Sequence, residues 1–215
     1  MSRVKTIAVI PAYNEEETLG EIIHVLNEVN LVSRVVVISD GSTDETAWVA
    51  RQSGAEVIEL QENVGKGGAL QKGIERADAE IYLFLDGDLL GLQPQHVEDL
   101  LRPVYQGEAE MTLGIFESGR PMTDLALQVA PHLSGQRAVH RTVLEAISGL
   151  DTSRFGVEMA LTRHIRTHDV KVQAVPLRNL SHRMKEEKLG LIPGFIARLK
   201  MYWEILKKTP PAKEG

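Results

Sequence analysis

"KTIAVIPAYNEEETLGEIIHVL", residues 5–26, carries two hydrophobic periods in succession. Residues 5–12 form a short β-rich run, after which Leu19, Ile22, Ile23 and Leu26 recur at helical spacing as one apolar stripe. Asn14 is a favourable N-cap residue, and Glu17 three positions on completes an approximate capping box, so the spacing predicts a helix over 15–29. The alternation continues downstream. Further β-rich runs are "RVVVIS", "AEVIEL", "EIYLFLD" and "EMTLGIFE", separated by helical patterns over about 43–53, 66–77 and 94–105. Strands alternating with helices of this length predict an α/β fold with a mainly parallel sheet covered on both faces.

In such folds ligands gather beyond the carboxyl ends of the strands. Four strand-end segments, "PAYNEE", "SDGSTD", "NVGKGG" and "DGD", are polar or glycine-rich and should converge on one cleft. The second half is less regular. "ESGRPMTD" precedes a helical pattern at about 122–130 and the loop "PHLSGQRAVHR"; helices near 141–148 and 156–168 follow. A strand, "VKVQAVPL", then leads to the basic loop "RNLSHRMKEEKLG" and a final helix over about 193–208.

Composition narrows the class. With 215 residues, 43% of them hydrophobic, the chain can bury a full core as one domain. A net charge of −6 argues against a general nucleic-acid surface. There are no cysteines, which removes disulfides and thiolate metal sites. "MSRVKTIAVIPAYNEEE" has neither the apolar core nor the cleavage site of a signal peptide, and no stretch approaches the roughly 18 apolar residues of a membrane span. A cytoplasmic protein is expected, with attachment to a membrane surface left open.

Within "IYLFLDGDLL", residues 81–90, an apolar strand ends in Asp86 and Asp88 with only Gly87 between them. Residues i and i+2 of an extended chain point the same way, and glycine lets the chain bend so that both carboxylates face one ion. Hard oxygen donors suit Mg²⁺ or Mn²⁺; the bland alternative is an acidic turn. An aspartyl phosphatase fits poorly, because its paired aspartates sit nearer the N-terminus. "NVGKGGAL" lacks the spacing of a nucleotide-triphosphate loop, yet its glycines permit close backbone approach and Lys66 adds charge at a helix start. In "SDGSTDET" capping accounts for Ser42, Thr43 and Asp44, whereas Asp40 is placed to accept hydrogen bonds from a nucleobase or ribose.

In this order and spacing, "PAYNEEETL", "SDGSTDET", "NVGKGGAL" and "LFLDGDL" resemble the nucleotide-sugar half of family-2-like inverting glycosyltransferases with the GT-A fold. The resemblance covers residues 5–118 closely. It continues more loosely through "LSGQRAVHR", "FGVEMALT" and "VPLRNLSHRMKEEKLG", in the style of dolichol-phosphate-mannose synthases and glucosyl-3-phosphoglycerate synthases. It implies one GT-A domain: a nucleotide-sugar half over 1–118, an acceptor half over 119–190 and an amphipathic C-terminal helix over 191–208.

By the same resemblance Asp86 and Asp88 hold a divalent cation that carries the donor diphosphate, with Gly87 between them and His182 as third ligand. Pro11, Ala12, Tyr13 and Glu15 line the base and ribose pocket with Asp40, and Lys66 lies near the ribose or diphosphate. Ser39 stands where many relatives carry a second aspartate; uridine is the base the resemblance favours, with donors of the UDP-glucose or GDP-mannose type. Ser134, Gly135 and Gln136 are implied contacts to sugar and acceptor. Arg137, Arg141, Arg183 and Lys185 are implied contacts to acceptor phosphate or diphosphate. Glu158 is either a general base or a glutamate favoured by a helix start.

The expected function is transfer of a hexose to a small phosphorylated or hydroxy-acid acceptor. A polyprenyl-phosphate acceptor at the membrane surface is the alternative, and a non-catalytic nucleotide-sugar-binding protein is the rival from another class. A nucleotidyltransferase would carry a glycine- and arginine-rich loop after the first strand, which "PAYNEEE" is not. In the terminal segment Phe195, Ile196, Leu199, Tyr202, Trp203 and Leu206 share one helical face beside Arg198, Lys200, Lys207 and Lys208. That pattern serves either anionic lipid or packing on the domain or a second subunit.

Overall fold

Strand β1 (Thr6–Ala12) is buried along its whole length, which explains why its sequence is an unbroken apolar run rather than an alternating one. Ala8 and Ile10 face one core, with α1 (Leu19–Glu28) and α4 (Pro94–Tyr105) over it. Ile7 and Val9 face the other, with α3 (Gly65–Arg76) over it. The computed structural model describes residues 4–117, 135–147 and 152–183. The elements described here lie within one compact unit, Met1–His182.

The remaining elements are β2 (Arg34–Asp40), α2 (Thr46–Gln52), β3 (Glu56–Leu60), β4 (Ile81–Phe84), β5 (Leu89–Leu90), β6 (Met111–Glu117), β7 (Arg137–His140), α5 (Arg141–Ile147), α6 (Thr152–Thr167), β8 (Val172–Arg178) and β9 (Ser181–His182). Among the described residues the main sheet has seven strands in the order β3-β2-β1-β4-β7-β6-β8, and β5 pairs with β9 in a separate two-stranded ribbon. β1 is parallel to β2 and β4, β2 to β3, and β6 to β8. Only β7 opposes its neighbours β4 and β6. The expected mainly parallel α/β architecture is therefore present.

Two local expectations are corrected. The first helix begins at Leu19, not at residue 15, and Asn14 does not cap it. Asn14 instead takes a left-handed backbone with φ of 54°, and its Oδ1 accepts a hydrogen bond from Thr43 N at 2.8 Å. The second correction concerns "RAVH", which is a strand rather than part of a loop. Its residues have little strand pattern of their own; they are held because β4 and β6 each present an edge to be paired. The helix expected near 156–168 is present as the second part of α6, after a break at Gly156, whose φ of 71° and ψ of 161° are not helical. The helical pattern expected at 122–130 and the terminal helix lie outside the described residues. No described helix is long and apolar enough to cross a membrane.

Glycine governs how closely α3 sits on the sheet. A Cβ on Gly73 would lie 2.5 Å from Val9 Cγ1 and 2.7 Å from Ile38 Cδ1. Gly73→Val must push α3 outward, with an expected loss of about 1–3 kcal/mol in urea unfolding, the usual cost of overpacking.

Candidate functional site

Six parallel strands deliver their carboxyl ends to one edge of the sheet, and β7 delivers its amino end to the same edge. Phe84, the last residue of β4, pairs with Arg137, the first of β7. The segments 86–88 and 135–137 therefore meet there. Gln136 Nε2 donates to Asp86 Oδ2 at 3.0 Å. Gly135 is packed so tightly that a Cβ would lie 2.5 Å from both Asp86 oxygens and from Lys66 Nζ.

Lys66 enters from the first turn of α3. Its Nζ lies 2.5 Å from Asp86 Oδ1 and 3.0 Å from Glu158 Oε1. The approach of Glu158 depends on two glycines in backbone contact: a Cβ on Gly67 would stand 2.6 Å from Gly156 Cα. Any side chain at either position would drive α3 and α6 apart. Burial pulls the Lys66 ammonium pKa down, but the Asp86 and Glu158 carboxylates outweigh it and hold it above the ordinary lysine value. Arg137 is only 2% exposed. Burial pulls its pKa below the ordinary arginine value, against the nearby charges of Glu158 and Asp86.

The β5–β9 ribbon brings in the third polar group. Leu89 pairs with His182, which places the imidazole beside the adjacent Asp88, and His182 Nδ1 lies 2.9 Å from Asp88 Oδ1. Asp86, Asp88 and His182 offer ligand atoms that all lie within 4.8 Å of one another. The hydrogen bond to Asp88 raises the His182 pKa above the ordinary imidazole value, and burial opposes it.

The walls of this edge are stitched across loops. Thr18 Oγ1 donates to Gly87 O at 2.6 Å, and the Glu15 carboxylate reaches so close to Gly87 that it leaves no room for a Cβ there. Glu15 N donates to Thr46 Oγ1 at 2.8 Å, and Glu45 N donates to Glu16 Oε2 at the same distance. Asp40, 3% exposed, accepts from Val64 N at 2.8 Å and so ties β2 to the loop before α3. Ser42, expected as a cap, donates to Ala12 O at 3.4 Å instead, whereas Asp44 Oδ1 does accept from Thr46 N at 3.0 Å.

This set of strand ends is matched by the family model described as "Glycosyl transferase family 2", over residues 7–163. The chain belongs to glycosyl transferase family 2. Among sequence relatives, 4,4'-diaponeurosporenoate glycosyltransferase of Staphylococcus aureus is 36% identical over 110 residues, 49% of this chain. The chain spans only 29% of the length of that curated relative.

Among solved structures, glucosyl-3-phosphoglycerate synthase of Mycobacterium tuberculosis in complex with Mn²⁺ and UDP-glucose superposes with a TM-score of 0.69 at 29% identity. The match covers 91% of this chain and 78% of that one. The same enzyme with phosphoglyceric acid gives a TM-score of 0.67 at 28% identity, covering 86% and 74%.

Within this family-2 domain, Asp86, Gly87, Asp88, Lys66, Gly135, Gln136, Arg137, Glu158 and His182 share the carboxyl edge. Pro11 and Ala12 are buried at the end of β1, and Tyr13 beyond them is 41% exposed. Arg141 is corrected: it begins α5 at the other end of β7. Its guanidinium pairs with Asp78 and donates to Ala79 O at 2.5 Å. Four strand residues at about 3.3 Å each separate that edge from Asp86, so Arg141 is not available to an acceptor there. Arg183 follows His182 in the chain, while Ser134 and Lys185 lie outside the described residues. Thr18 and the Gly67–Gly156 contact were not foreseen, because their roles depend on partners 69 and 89 positions away in sequence.

The His182–Asp88 pair sets a pH dependence in metal-free protein. A raised folded-state pKa contributes stability that is fully present below the ordinary imidazole value of about 6.5 and is lost as pH rises through the raised value. In EDTA, NMR titration of His182 should therefore give a pKa above that of a free imidazole. Asp88→Asn should bring it back down and remove the corresponding fall in stability.

Proposed function

We propose that this protein is a metal-dependent glycosyltransferase that moves a hexosyl group from a nucleoside-diphosphate sugar to a small phosphorylated or carboxylated hydroxy acid. The observation that carries the reading is the convergence of Asp86, Asp88 and His182 within 4.8 Å at the carboxyl edge, beside Lys66 at the start of α3.

The residues fit a cation of the proposed kind. Two carboxylates suit hard ions held at about 2.1 Å, and the imidazole nitrogen shifts preference from Mg²⁺ toward Mn²⁺. What the ion supplies when bound is Lewis-acid stabilisation of the charge that gathers on the departing diphosphate. The chain supplies the rest. Asp86, Asp88 and His182 hold the ion, and Lys66 adds positive charge where the first turn of α3 opens toward the site. Asp40 and Val64 fix the wall between β2 and α3, leaving the exposed ring of Tyr13 as a surface for the base. Arg137, held buried, offsets the negative charge of Asp86 and Glu158. In this reading Glu158 receives the proton of an acceptor hydroxyl once its oxygen is released from Lys66. Similarity to a synthase solved with Mn²⁺, UDP-glucose and phosphoglyceric acid supports UDP-glucose as donor and a phosphorylated hydroxy acid as acceptor.

Asp88→Asn should retain the fold by circular dichroism but lose Mn²⁺-dependent UDP binding in isothermal titration. Binding as tight as in wild type, with the same Mn²⁺ dependence, would remove the site assignment. For the acceptor, hexose transfer from UDP-glucose is expected to 3-phosphoglycerate or a related acid in detergent-free buffer. Transfer confined to polyprenyl phosphate, in a panel holding both, would replace this acceptor class with the lipid one.

A further inference from the structure

Each oxygen of Asp86 already faces a hydrogen-bond donor. Lys66 Nζ lies 2.5 Å from Oδ1, and Gln136 Nε2 donates to Oδ2 at 3.0 Å. The same ammonium spans to Glu158 Oε1 at 3.0 Å. Gly135 packs against all three atoms of the pair, Oδ1, Oδ2 and Nζ. Lys66 thus occupies one of the two oxygens through which Asp86 could hold a cation.

We propose that Lys66 is a resident counter-cation of the metal site, holding Asp86 until a nucleoside diphosphate draws it away, so that metal ion and nucleotide enter as a coupled pair. The inference rests on the donor-site reading above and adds an order of events to it. An ammonium and a divalent ion cannot share one lone pair, and at such separations their repulsion is strong in a partly buried site.

Lys66 is equipped to move. Its side chain is 38% exposed, it rides on a flexible four-carbon stem, and a Cβ added at the neighbouring Gly65 would meet nothing within 4 Å. A diphosphate arriving at the start of α3 would therefore find both an open approach and an ammonium within reach. Arg137 differs, since its burial holds it in place beneath the same carboxylates. One cation is built to leave and the other to stay.

The consequence is weak metal binding in the absence of nucleotide. If Lys66 leaves Asp86 free for only about a tenth of the time, apparent metal affinity falls about tenfold. Electron paramagnetic resonance of free Mn²⁺ measures this directly for wild type, Lys66→Gln, Lys66→Arg and Asp88→Asn, each with and without UDP. Wild type should bind Mn²⁺ weakly alone and more tightly with UDP. Lys66→Gln should bind Mn²⁺ alone about tenfold more tightly than wild type and gain less from UDP, while Lys66→Arg stays near wild type. If Lys66→Gln gains nothing alone while wild type still binds with UDP, the counter-cation role is overturned. Failure of the underlying reading looks different: wild type would bind no Mn²⁺ in either condition. A measurement on wild type alone guards against a variant that does not fold. The ¹⁵N signal of the Lys66 ammonium in metal-free, chelator-free buffer should move when Mg²⁺ and UDP are added together, and an unmoved signal at saturation overturns the proposal.

Discussion

A buried strand that ends in two carboxylates must have cations brought to it, and much of this structure is arranged around that demand. β4 is buried on both faces, and Leu85 after it is fully buried, so Asp86 emerges directly from the apolar core. Desolvating a carboxylate there without a partner would cost several kcal/mol. Lys66 from α3, Gln136 from the approach to β7, and Arg137 at the head of β7 answer Asp86; His182 from β9 answers Asp88. These groups come from three separate segments of the chain.

Backbone geometry makes the convergence achievable. The reversed direction of β7 matters because it points residues 135–137 at the same edge as the carboxyl ends of its parallel neighbours. A parallel strand in that position would have delivered His140 and Arg141 instead. The break at Gly156 matters for a related reason. It lets the chain pass within contact distance of Gly67, and the Lys66–Glu158 pair follows from that approach. The two-residue β5–β9 ribbon sets register as well, since a slip of one position would turn His182 away from Asp88.

The loops before α1 and α2 use their polar residues in the same economical way. Asn14, Glu16, Ser42 and Thr46 bond across the gap between strands β1 and β2, and Thr18 reaches on to Gly87. Polar groups that a local reading assigns to helix caps thus hold the rim of the cleft. An isolated helix start would use Asn14 as a cap. Here the neighbouring loop offers Thr43 N, and Asn14 adopts a left-handed backbone to meet it.

What the sequence determined by itself was whatever depends on short-range period and order. The buried strands read as apolar runs, the stripe of Leu19, Ile22, Ile23 and Leu26 read as a helix face, and both are present. The strand-end motifs could be assigned to one cleft, because a parallel α/β sheet sends all such ends to one edge. Asp86, Asp88 and Lys66 could be placed at that edge for that reason, whereas His182 and Glu158 were singled out by family resemblance. Tertiary structure alone decided the rest. "RAVH" is a strand only because two sheet edges need pairing, and that separates Arg137, which joins the site, from Arg141, which pairs with Asp78 at the far edge. Nor does any local pattern show that Lys66 lies on Asp86, since that contact joins the start of α3 to the end of β4, 20 positions apart in sequence. Periodicity is a property of neighbours in the chain, whereas neutralising a buried charge is a property of neighbours in space.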